Sequence, residues 1–338
     1  MRTLKINLFY KCTAQCDHCR FNCIMDGDVT PDFDTPYSIV KRLNSNFGLD
    51  MVVILGGEPS IFREQTHELL SKVHELGLAT RLETNASWAK DPQSALDFLR
   101  PVKASETSVM LSVDAFHSKY IPYTNNANAI KACIELDIPF ILEIPYLDIN
   151  RKTHLLDVKT LDIEAKTVSG FDAEMKTYRG NIIFTGRAAE KFGDEMAVGK
   201  GIPREACTNV PWWGESDIKT TNLLIYEYGG WITKGCGIAI GNVYKQDIAE
   251  MVRHYNAEAN PVFSMLLNEG PYALAKEAEK YGYVIKRDYA DKCHLCHEAR
   301  QVLKKVYPDI LQPDTHYPFM GRISPFGRRK DTSVYQSK

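Results

Sequence analysis

Three cysteines near the amino terminus have the spacing of a metal-binding loop. Cys12, Cys16 and Cys19 are separated by three and then two residues. Three thiolates on one loop can hold three irons of a four-iron cluster, and the fourth iron would then stay open to a substrate or cofactor. A zinc knuckle is the alternative, since Cys23 or His18 could supply the fourth zinc ligand. The loop therefore predicts a metal site, either an iron–sulfur cluster or zinc.

Four more cysteines occur in the carboxy-terminal part of the chain: Cys207, Cys236, Cys293 and Cys296. Four thiols are the complement for a closed iron–sulfur cluster or for a structural zinc ion. Glycines on both sides of Cys236 would let the backbone pack closely around a cluster. We therefore expect a second metal site, with zinc as the alternative to iron.

Two cysteines remain outside these sets. Cys133 lies in a segment with the apolar periodicity of a helix, which favours a buried structural thiol. Cys23 lies four residues after Cys19 and could face the active site, so it is a candidate catalytic residue.

The composition limits the classes of partner. The chain has 338 residues, 44% of them hydrophobic and 25% charged, which suits one large globular domain with a smaller one. Its 41 basic and 43 acidic residues leave a net charge of −2, so no nucleic-acid partner is expected. No apolar run reaches about 18 residues, so no membrane span is expected either. Nine cysteines without an export signal predict a reducing, cytoplasmic location.

Short apolar strands alternate with amphipathic helices over the first part of the chain. The predicted strands cover residues 4–9, 51–55, 79–83, 108–113, 139–146 and 181–185, and the predicted helices cover 36–47, 63–75, 91–98 and 125–135. This alternation predicts a parallel sheet buried on both faces, either doubly wound or curled into a full or partial barrel. In either arrangement, chemistry gathers at the carboxyl ends of the strands.

The pattern changes after about residue 200. Residues 223–227 and 230–233 predict a hairpin, and helices are expected near 247–254 and 272–281. We therefore divide the chain into a barrel domain (1–200), a small second domain (201–312) and a polar tail (313–338).

Polar motifs follow several of the predicted strands. Gly56-Gly57-Glu58-Pro59 comes after the second strand, Asn85 after the third, Ser112 and Asp114 at the end of the fourth, and Arg187 after the sixth. Together with the cysteine loop after the first strand, the Gly-Gly-Glu-Pro motif resembles the radical S-adenosylmethionine (radical SAM) superfamily over roughly the first 190 residues. The resemblance implies a partial (β/α)6 barrel in which Cys12, Cys16 and Cys19 hold a [4Fe-4S] cluster, with S-adenosylmethionine chelating its open iron.

The same resemblance implies roles for the strand-end residues. Gly56 and Gly57 would let the backbone approach the methionyl ammonium of the cofactor, and Glu58, followed by Pro59, would offer an acceptor nearby. Superfamily members contact the ribose or methionyl part at the positions of Asn85, Ser112 and Asp114, although helix capping is an equal alternative. Arg187 could pair with the methionyl carboxylate, against the alternative of a surface arginine.

The carboxy-terminal cysteines are similar, more loosely, to those of members that carry a shortened auxiliary domain, called twitch, with one extra [4Fe-4S] cluster. Within that group the chain is similar to the epipeptide-type peptide epimerases. It departs from them at Gly235-Cys236, where that family has two adjacent cysteines, one of them a hydrogen donor. Either Cys236 is the donor and the second cluster has three protein ligands, or Cys236 is a ligand and the donor is absent. An absent donor favours an oxidative outcome such as a crosslink.

The resemblance implies an enzyme that cleaves S-adenosylmethionine reductively to a 5′-deoxyadenosyl radical, with an external electron donor such as flavodoxin or ferredoxin. The expected substrate is a ribosomally made peptide, although no peptide-recognition module is expected before a cysteine loop that begins at residue 12. A radical epimerase or dehydrogenase of a sugar or other small molecule is the alternative enzyme. A non-catalytic iron–sulfur or zinc protein is the alternative from another class.

Overall fold

The computed structural model describes residues 2–26, 29–147, 177–210 and 216–318. The strands are β1 (Thr3–Asn7), β2 (Met51–Leu55), β3 (Ala79–Thr84), β4 (Ser108–Ser112), β5 (Phe140–Tyr146), β6 (Thr177–Asn181), β7 (Asn209–Val210), β8 (Ser216–Asp217), β9 (Leu223–Glu227), β10 (Trp231–Thr233) and β11 (Ala239–Asn242). The α-helices are α1 (Asp34–Phe47), α2 (Arg63–His74), α3 (Pro92–Ala104), α4 (Tyr123–Glu135), α5 (Arg187–Ala197), α6 (Ile248–Arg253), α7 (Pro261–Glu269), α8 (Pro271–Glu279) and α9 (Lys292–Leu303). Short 3-10 turns cover Pro59–Phe62, Ala257–Ala259 and Asp314–His316.

One nine-stranded sheet organises the chain, in the order β11-β10-β9-β1-β2-β3-β4-β5-β6. The neighbouring strands from β1 to β6 are all parallel. This confirms the predicted α/β fold with a parallel, barrel-like sheet. The sheet is not closed, because β6 and β11 lie at opposite ends of the strand order.

Strand β1 shows how the sheet divides core from site. Leu4 and Ile6 belong to a buried apolar cluster with residues of helices α1 to α4. Successive side chains of a strand point to opposite faces, so Lys5 and Asn7 lie on the other face. Both are buried, and they hydrogen-bond to Glu83 and Glu227 respectively. The face away from these helices therefore carries buried charge, as a polar site requires.

The prediction for the sixth strand was wrong in position. The strand was expected over 181–185, whereas β6 ends at Asn181. Ile182 and Phe184 have the apolar character of a strand, but they are buried in the connection to α5. Burial, rather than ladder pairing, explains their hydrophobicity.

The predicted hairpin forms, with β9 and β10 antiparallel. It does not stand apart from the barrel, because β9 pairs in parallel with β1 from Thr3–Leu223 to Asn7–Glu227. The main sheet therefore continues beyond residue 200. At the other end of the chain, His316 and Tyr317 are buried, although the tail was expected to begin at 313. Residues 319–338 of that tail lie outside the described residues.

Among the described residues, every helix is too short or too polar to traverse a lipid bilayer.

Candidate functional site

The cysteine loop begins directly after β1 and is closed at its base by backbone hydrogen bonds. The Cys12 N–H donates to the Ile24 carbonyl at 2.8 Å, and the Ile24 N–H donates to the Tyr10 carbonyl at 3.0 Å. Within the loop, the Cys19 N–H donates to the Cys16 carbonyl at 3.1 Å. The loop is thereby held at the carboxyl end of β1, at the strand ends where barrel sites form.

A cavity of about 310 Å³ lies against this loop, which is the size of a small-molecule site. Many of the residues singled out in the sequence line it: Cys12, Cys16, Cys19, Cys23, Gly56, Gly57, Asn85 and Ser112. The parallel strands β1 to β4 bring them together, because their carboxyl ends meet at one edge of the sheet.

Gly57 supports the cysteine loop through a close backbone contact. A Cβ atom on this residue would lie 1.8 Å from the Lys11 carbonyl oxygen, a distance no side chain can accept. Its N–H donates to the Phe9 carbonyl at 2.6 Å, and the next N–H, from Glu58, donates to the Lys11 carbonyl at 3.0 Å. Glycine at 57 therefore lets the turn after β2 pack directly on the chain that enters the loop.

Glu58 is completely buried behind the cavity rather than lining it. Its carboxylate accepts hydrogen bonds from the Thr84 hydroxyl at 2.7 Å, the Asn85 N–H at 2.8 Å and the Ser60 N–H at 3.1 Å. Burial raises the pKa of Glu58. These contacts tie the turn after β2 to the end of β3, and Pro59 starts the 3-10 turn that follows.

Asn85 reaches the cysteine loop. Its side-chain amide donates to the Thr13 hydroxyl at 3.0 Å and contacts the Cys12 Sγ at 3.7 Å. Glu58 therefore positions Asn85, and Asn85 in turn contacts the first cysteine of the loop.

Asp114 is also buried behind the cavity, where it contacts two histidines. It accepts hydrogen bonds from the Phe116 and His117 N–H groups at 2.8 and 2.9 Å, so it caps the following turn. It also lies 2.6 Å from the His117 Nδ1 and 3.8 Å from the His18 Nε2. Although burial alone would raise it, the positive charge of His117, together with that of His18 once His18 is protonated at low pH, lowers the pKa of Asp114 to about 2.

These histidines belong to a compact group of potential metal ligands. Single ligand atoms of Cys16, His18 and His117 all lie within 4.8 Å of one another. Burial lowers the pKa of His18 to about 4, so this ring is neutral at physiological pH. The sequence offered His18, or else Cys23, as the fourth ligand of the alternative zinc knuckle, and the structure places His117 beside His18.

Arg187, the first residue of α5, binds the cysteine loop. Its Nε donates to the Cys16 carbonyl at 2.9 Å, its Nη1 donates to the Cys23 carbonyl at 2.7 Å, and its backbone N–H donates to the Cys19 carbonyl at 3.1 Å. The Nη2 atom is buried and has no hydrogen-bond partner among the residues that the structure describes. Arg187 therefore holds the loop and keeps one buried donor free.

The thiols of Cys19 and Cys23 differ in acidity. A hydrogen bond from the Cys23 thiol, aided by the charge of Arg187, holds the pKa of Cys19 well below its ordinary value. The same hydrogen bond, together with burial, holds the pKa of Cys23 well above it. Cys19 is therefore the thiolate of the pair and Cys23 the thiol.

Sequence reasoning missed a group of charged residues in the same cavity. Arg20, Glu83 and Glu143 line it, and Glu83 accepts a hydrogen bond from the buried Lys5 at 3.0 Å. Burial raises the pKa of Glu143 and lowers that of Lys5. The signal was available, since Lys5 is the one charged residue of β1 and Glu143 is the one charged residue of β5.

A second pocket is lined by all four carboxy-terminal cysteines, Cys207, Cys236, Cys293 and Cys296. Apolar side chains surround them, among them Ile218, Ile238 and Phe263. Burial raises the pKa of Cys207 to about 12. Cys133 is separate from both sites, fully buried on α4 as expected.

Cys236 is held in a left-handed backbone conformation. Its φ is +58°, and the flanking Gly235 and Gly237 have φ values of +97° and +73°. A side chain other than glycine rarely adopts this conformation, and it persists where the surrounding structure imposes it, often at functional sites. The flanking glycines therefore shape the loop that presents the Cys236 thiol to the second pocket.

The comparisons with known proteins agree with this geometry. The family model of the "Radical SAM superfamily" matches residues 6–153. The chain is 19% identical over 158 residues to "Putative peptide biosynthesis protein YydG" of Bacillus subtilis, covering 46% of this chain and 50% of the relative. It is 32% identical over 78 residues to "Probable GTP 3′,8-cyclase" of Sulfolobus acidocaldarius, covering 23% of this chain and 24% of the relative. The matches thus span half or less of these curated relatives.

A solved structure matches over most of the chain. The structure titled "Native anSMEcpe with bound AdoMet" has a TM-score of 0.50 and 13% sequence identity, and the match covers 91% of this chain and 97% of that one. This likeness shows a shared fold. The residues that match the family model, 6–153, contain the three-cysteine loop, the Gly-Gly turn and most of the residues that line the cavity. Asn181, Ile182 and Ile183 complete the lining from outside the matched region.

Proposed function

We propose that the protein is a radical SAM enzyme that modifies a peptide. The observation that carries the proposal is that the three-cysteine loop and the Gly56-Gly57 turn, both within the matched family region, line the same cavity. The peptide class is supported by the relative whose name describes peptide biosynthesis. The reducing interior of the cytoplasm suits its cysteines, all nine of which are free.

The residues around the cavity fit the cofactors that this family implies. Three thiols suit three irons of a four-iron cluster and leave one iron for S-adenosylmethionine. Two buried polar atoms, Arg187 Nη2 and His18 Nδ1, have no hydrogen-bond partner among the described residues. A guanidinium donor suits the carboxylate of S-adenosylmethionine, and Asn85 and Ser112 offer polar groups for its remaining parts. Cys12, Cys16 and Cys19 would hold the cluster.

When bound, a reduced cluster would supply the one electron needed to cleave S-adenosylmethionine into methionine and a 5′-deoxyadenosyl radical, and that radical would take a hydrogen atom from the substrate. The protein's own part is to position groups and exclude water. Glu58 and Arg187 hold the strand ends and the cysteine loop around the cavity. Glu83, Glu143 and Arg20 would orient the polar groups of whatever enters it. An external donor such as flavodoxin or ferredoxin would deliver the electron.

We further propose a second [4Fe-4S] cluster on Cys207, Cys236, Cys293 and Cys296. Their convergence on one apolar pocket supports this reading, since four thiolates form a closed cluster site. In this reading Cys236 is a ligand rather than a hydrogen donor. The thiol of Cys23, which lines the main cavity, is then the remaining candidate donor. If Cys23 does not donate, the substrate radical would lose a proton to solvent and one electron to the second cluster, and the product would be oxidised, as in a crosslink.

The first experiment measures 5′-deoxyadenosine release. Protein reconstituted anaerobically with iron and sulfide is given dithionite and S-adenosylmethionine. Wild type and Cys133→Ala should release the nucleoside, whereas Cys16→Ala should not. Cys133→Ala is the matched control because its thiol is buried outside both sites. If cleavage requires the substrate, the binding of S-adenosylmethionine to the cluster is measured spectroscopically in the same variants instead. Wild type that neither binds nor cleaves S-adenosylmethionine would refute the proposal.

The second experiment identifies the substrate class and the product. Peptides encoded by short neighbouring reading frames and representative aminosugars are offered in deuterated water. Deuterium uptake into a peptide at unchanged connectivity indicates epimerisation, and the loss of two hydrogens indicates a crosslink. Reaction with the sugar alone would replace the peptide assignment. Cys23→Ala should convert an epimerisation to an oxidised product, whereas Cys236→Ala should lower the iron content.

A further inference from the structure

Arg300 is a buried cation beside the second set of cysteines. It lies on α9 with Cys293 and Cys296, and only 2% of its surface is exposed. Its Nε donates to the Cys296 Sγ at 3.3 Å. Its Nη1 donates to the Cys236 carbonyl and to the Tyr317 hydroxyl, the latter at 3.1 Å. The guanidinium therefore contacts two of the four cysteines directly.

The described part of the chain supplies no carboxylate to balance this guanidinium. Among the described residues, no carboxylate lies within ion-pair distance of Arg300. Two lysines of the same part of the chain do have carboxylate partners. Lys286 pairs with Asp194 at 2.7 Å and with Glu298 at 2.6 Å, and Lys304 pairs with Asp314 at 2.7 Å. An unpaired buried charge costs several kcal/mol, so buried charges in proteins are normally paired.

The groups that can supply the missing charge are the thiols of the second pocket, which Arg300 also lines. Neutral thiols would leave the guanidinium uncompensated. Thiolates bound to a metal are deprotonated, and four of them around one iron–sulfur cluster or one zinc ion carry net negative charge. The negative charge of four metal-bound thiolates would thus balance the positive charge of the buried guanidinium.

We propose that Arg300 is the counter-charge of an anionic four-thiolate metal centre and stabilises its more reduced state through the N–H···S bond to Cys296. This inference rests on the proposed second centre. One electron from the external donor makes that centre more negative, and a cation at hydrogen-bond distance favours this form. Arg300 is therefore a positioning and charge-compensating residue rather than a catalytic one.

An ordinary structural role for Arg300 predicts different results. Its bonds to the Cys236 carbonyl and the Tyr317 hydroxyl link α9 to two other segments, so any substitution could loosen that link. A structural link would stabilise the protein equally with and without metal. A counter-charge stabilises the metal-loaded form and destabilises the metal-free form, because chelation removes the thiolate charge.

The test compares Arg300→Met, which removes the charge at similar length, with Arg300→Lys, which keeps it. The full chain carries Cys12→Ala, Cys16→Ala and Cys19→Ala, so that the remaining metal belongs to the second centre. Melting temperature is measured with metal bound and after chelation, and the midpoint potential is measured by redox titration. Arg300→Met should lower the melting temperature of the loaded form, raise that of the metal-free form, and shift the potential to more negative values. Arg300→Lys should restore part of each.

The outcomes separate this inference from the proposed function. Equal losses of melting temperature with and without metal, at an unchanged potential, would overturn the counter-charge role while leaving the centre intact. The proposal of a second centre is itself refuted if the chain with Cys12→Ala, Cys16→Ala and Cys19→Ala binds no metal, and if further replacement of the four carboxy-terminal cysteines leaves its melting temperature unchanged. A bound zinc ion in place of iron gives no redox signal, and the two melting temperatures then decide the role of Arg300.

Discussion

Replacing Gly57 with alanine should detach the turn after β2 from the cysteine loop. The new Cβ would lie 1.8 Å from the Lys11 carbonyl oxygen, whereas real Cβ contacts are essentially never shorter than 3.0 Å. The two backbones must therefore move apart by about 1.2 Å. This shift breaks the hydrogen bonds from Gly57 to Phe9 and from Glu58 to Lys11. Overpacking costs about 1–3 kcal/mol and each bond about 0.5–1.5 kcal/mol, so the free energy of unfolding should fall by about 2–6 kcal/mol.

Gly56 provides the matched control. Its added Cβ would lie 3.1 Å from the Phe9 carbonyl oxygen, so a shift of a few tenths of an ångström relieves the contact. We expect a cost of about 1 kcal/mol or less for Gly56→Ala. Neither glycine has a positive φ, so the two variants differ in space rather than in backbone strain.

The assay measures iron and sulfide per chain after anaerobic reconstitution, together with urea unfolding. Both variants carry Cys293→Ala and Cys296→Ala, so that the iron reports the first site. Gly57→Ala should lose most of this iron, and Gly56→Ala should keep it. Wild-type iron and stability in Gly57→Ala, or equal losses in both variants, would refute the reasoning.

Three further predictions concern single side chains. Asp114→Asn should lower the free energy of unfolding at pH 7 by about 2 kcal/mol, because a folded-state pKa of about 2 lies below the ordinary 3.8. A depressed carboxyl pKa stabilises the fold above about pH 4. The difference in free energy of unfolding between Asp114→Asn and wild type, measured with urea, should therefore fall by about half at pH 3, and a difference that stays constant with pH would contradict this prediction. Arg187→Lys should cost about 1–3 kcal/mol and lower the iron of the first site, since lysine cannot bond the Cys16 and Cys23 carbonyls as a fork; iron analysis that matches wild type would oppose this. Cys133→Ala should cost about 1 kcal/mol in urea unfolding and leave both iron contents unchanged, and any iron loss would show that this buried thiol supports a cluster.

Local patterns were enough to predict much of the fold. The strands β2 to β5 and the helices between them follow from short apolar runs and helical periodicity, which depend on neighbouring residues alone. The cysteine loop follows in the same way, because its three thiols are seven residues apart at most. Asp91 likewise caps α3 through the Ser94 N–H at 2.8 Å, a contact within one turn.

Tertiary structure decided what distant residues do. Ile182 and Phe184 have the hydrophobicity of a strand, and only their packing shows that they lie in a connection. Strand β9 joins the edge of β1 although more than 200 residues separate them, because a free edge of a sheet accepts any strand of matching register.

The roles of the polar residues were decided in the same way. The types of Glu58 and Arg187 indicated contacts with a charged partner, but their side chains reach the backbone of neighbouring segments. Which group a long side chain meets depends on the elements packed around it. The sequence by itself therefore determined which residues are candidates to bind metal and cofactor. Folding decided which of them line the cavity, which support it from behind, and that Arg300 lies beside Cys296.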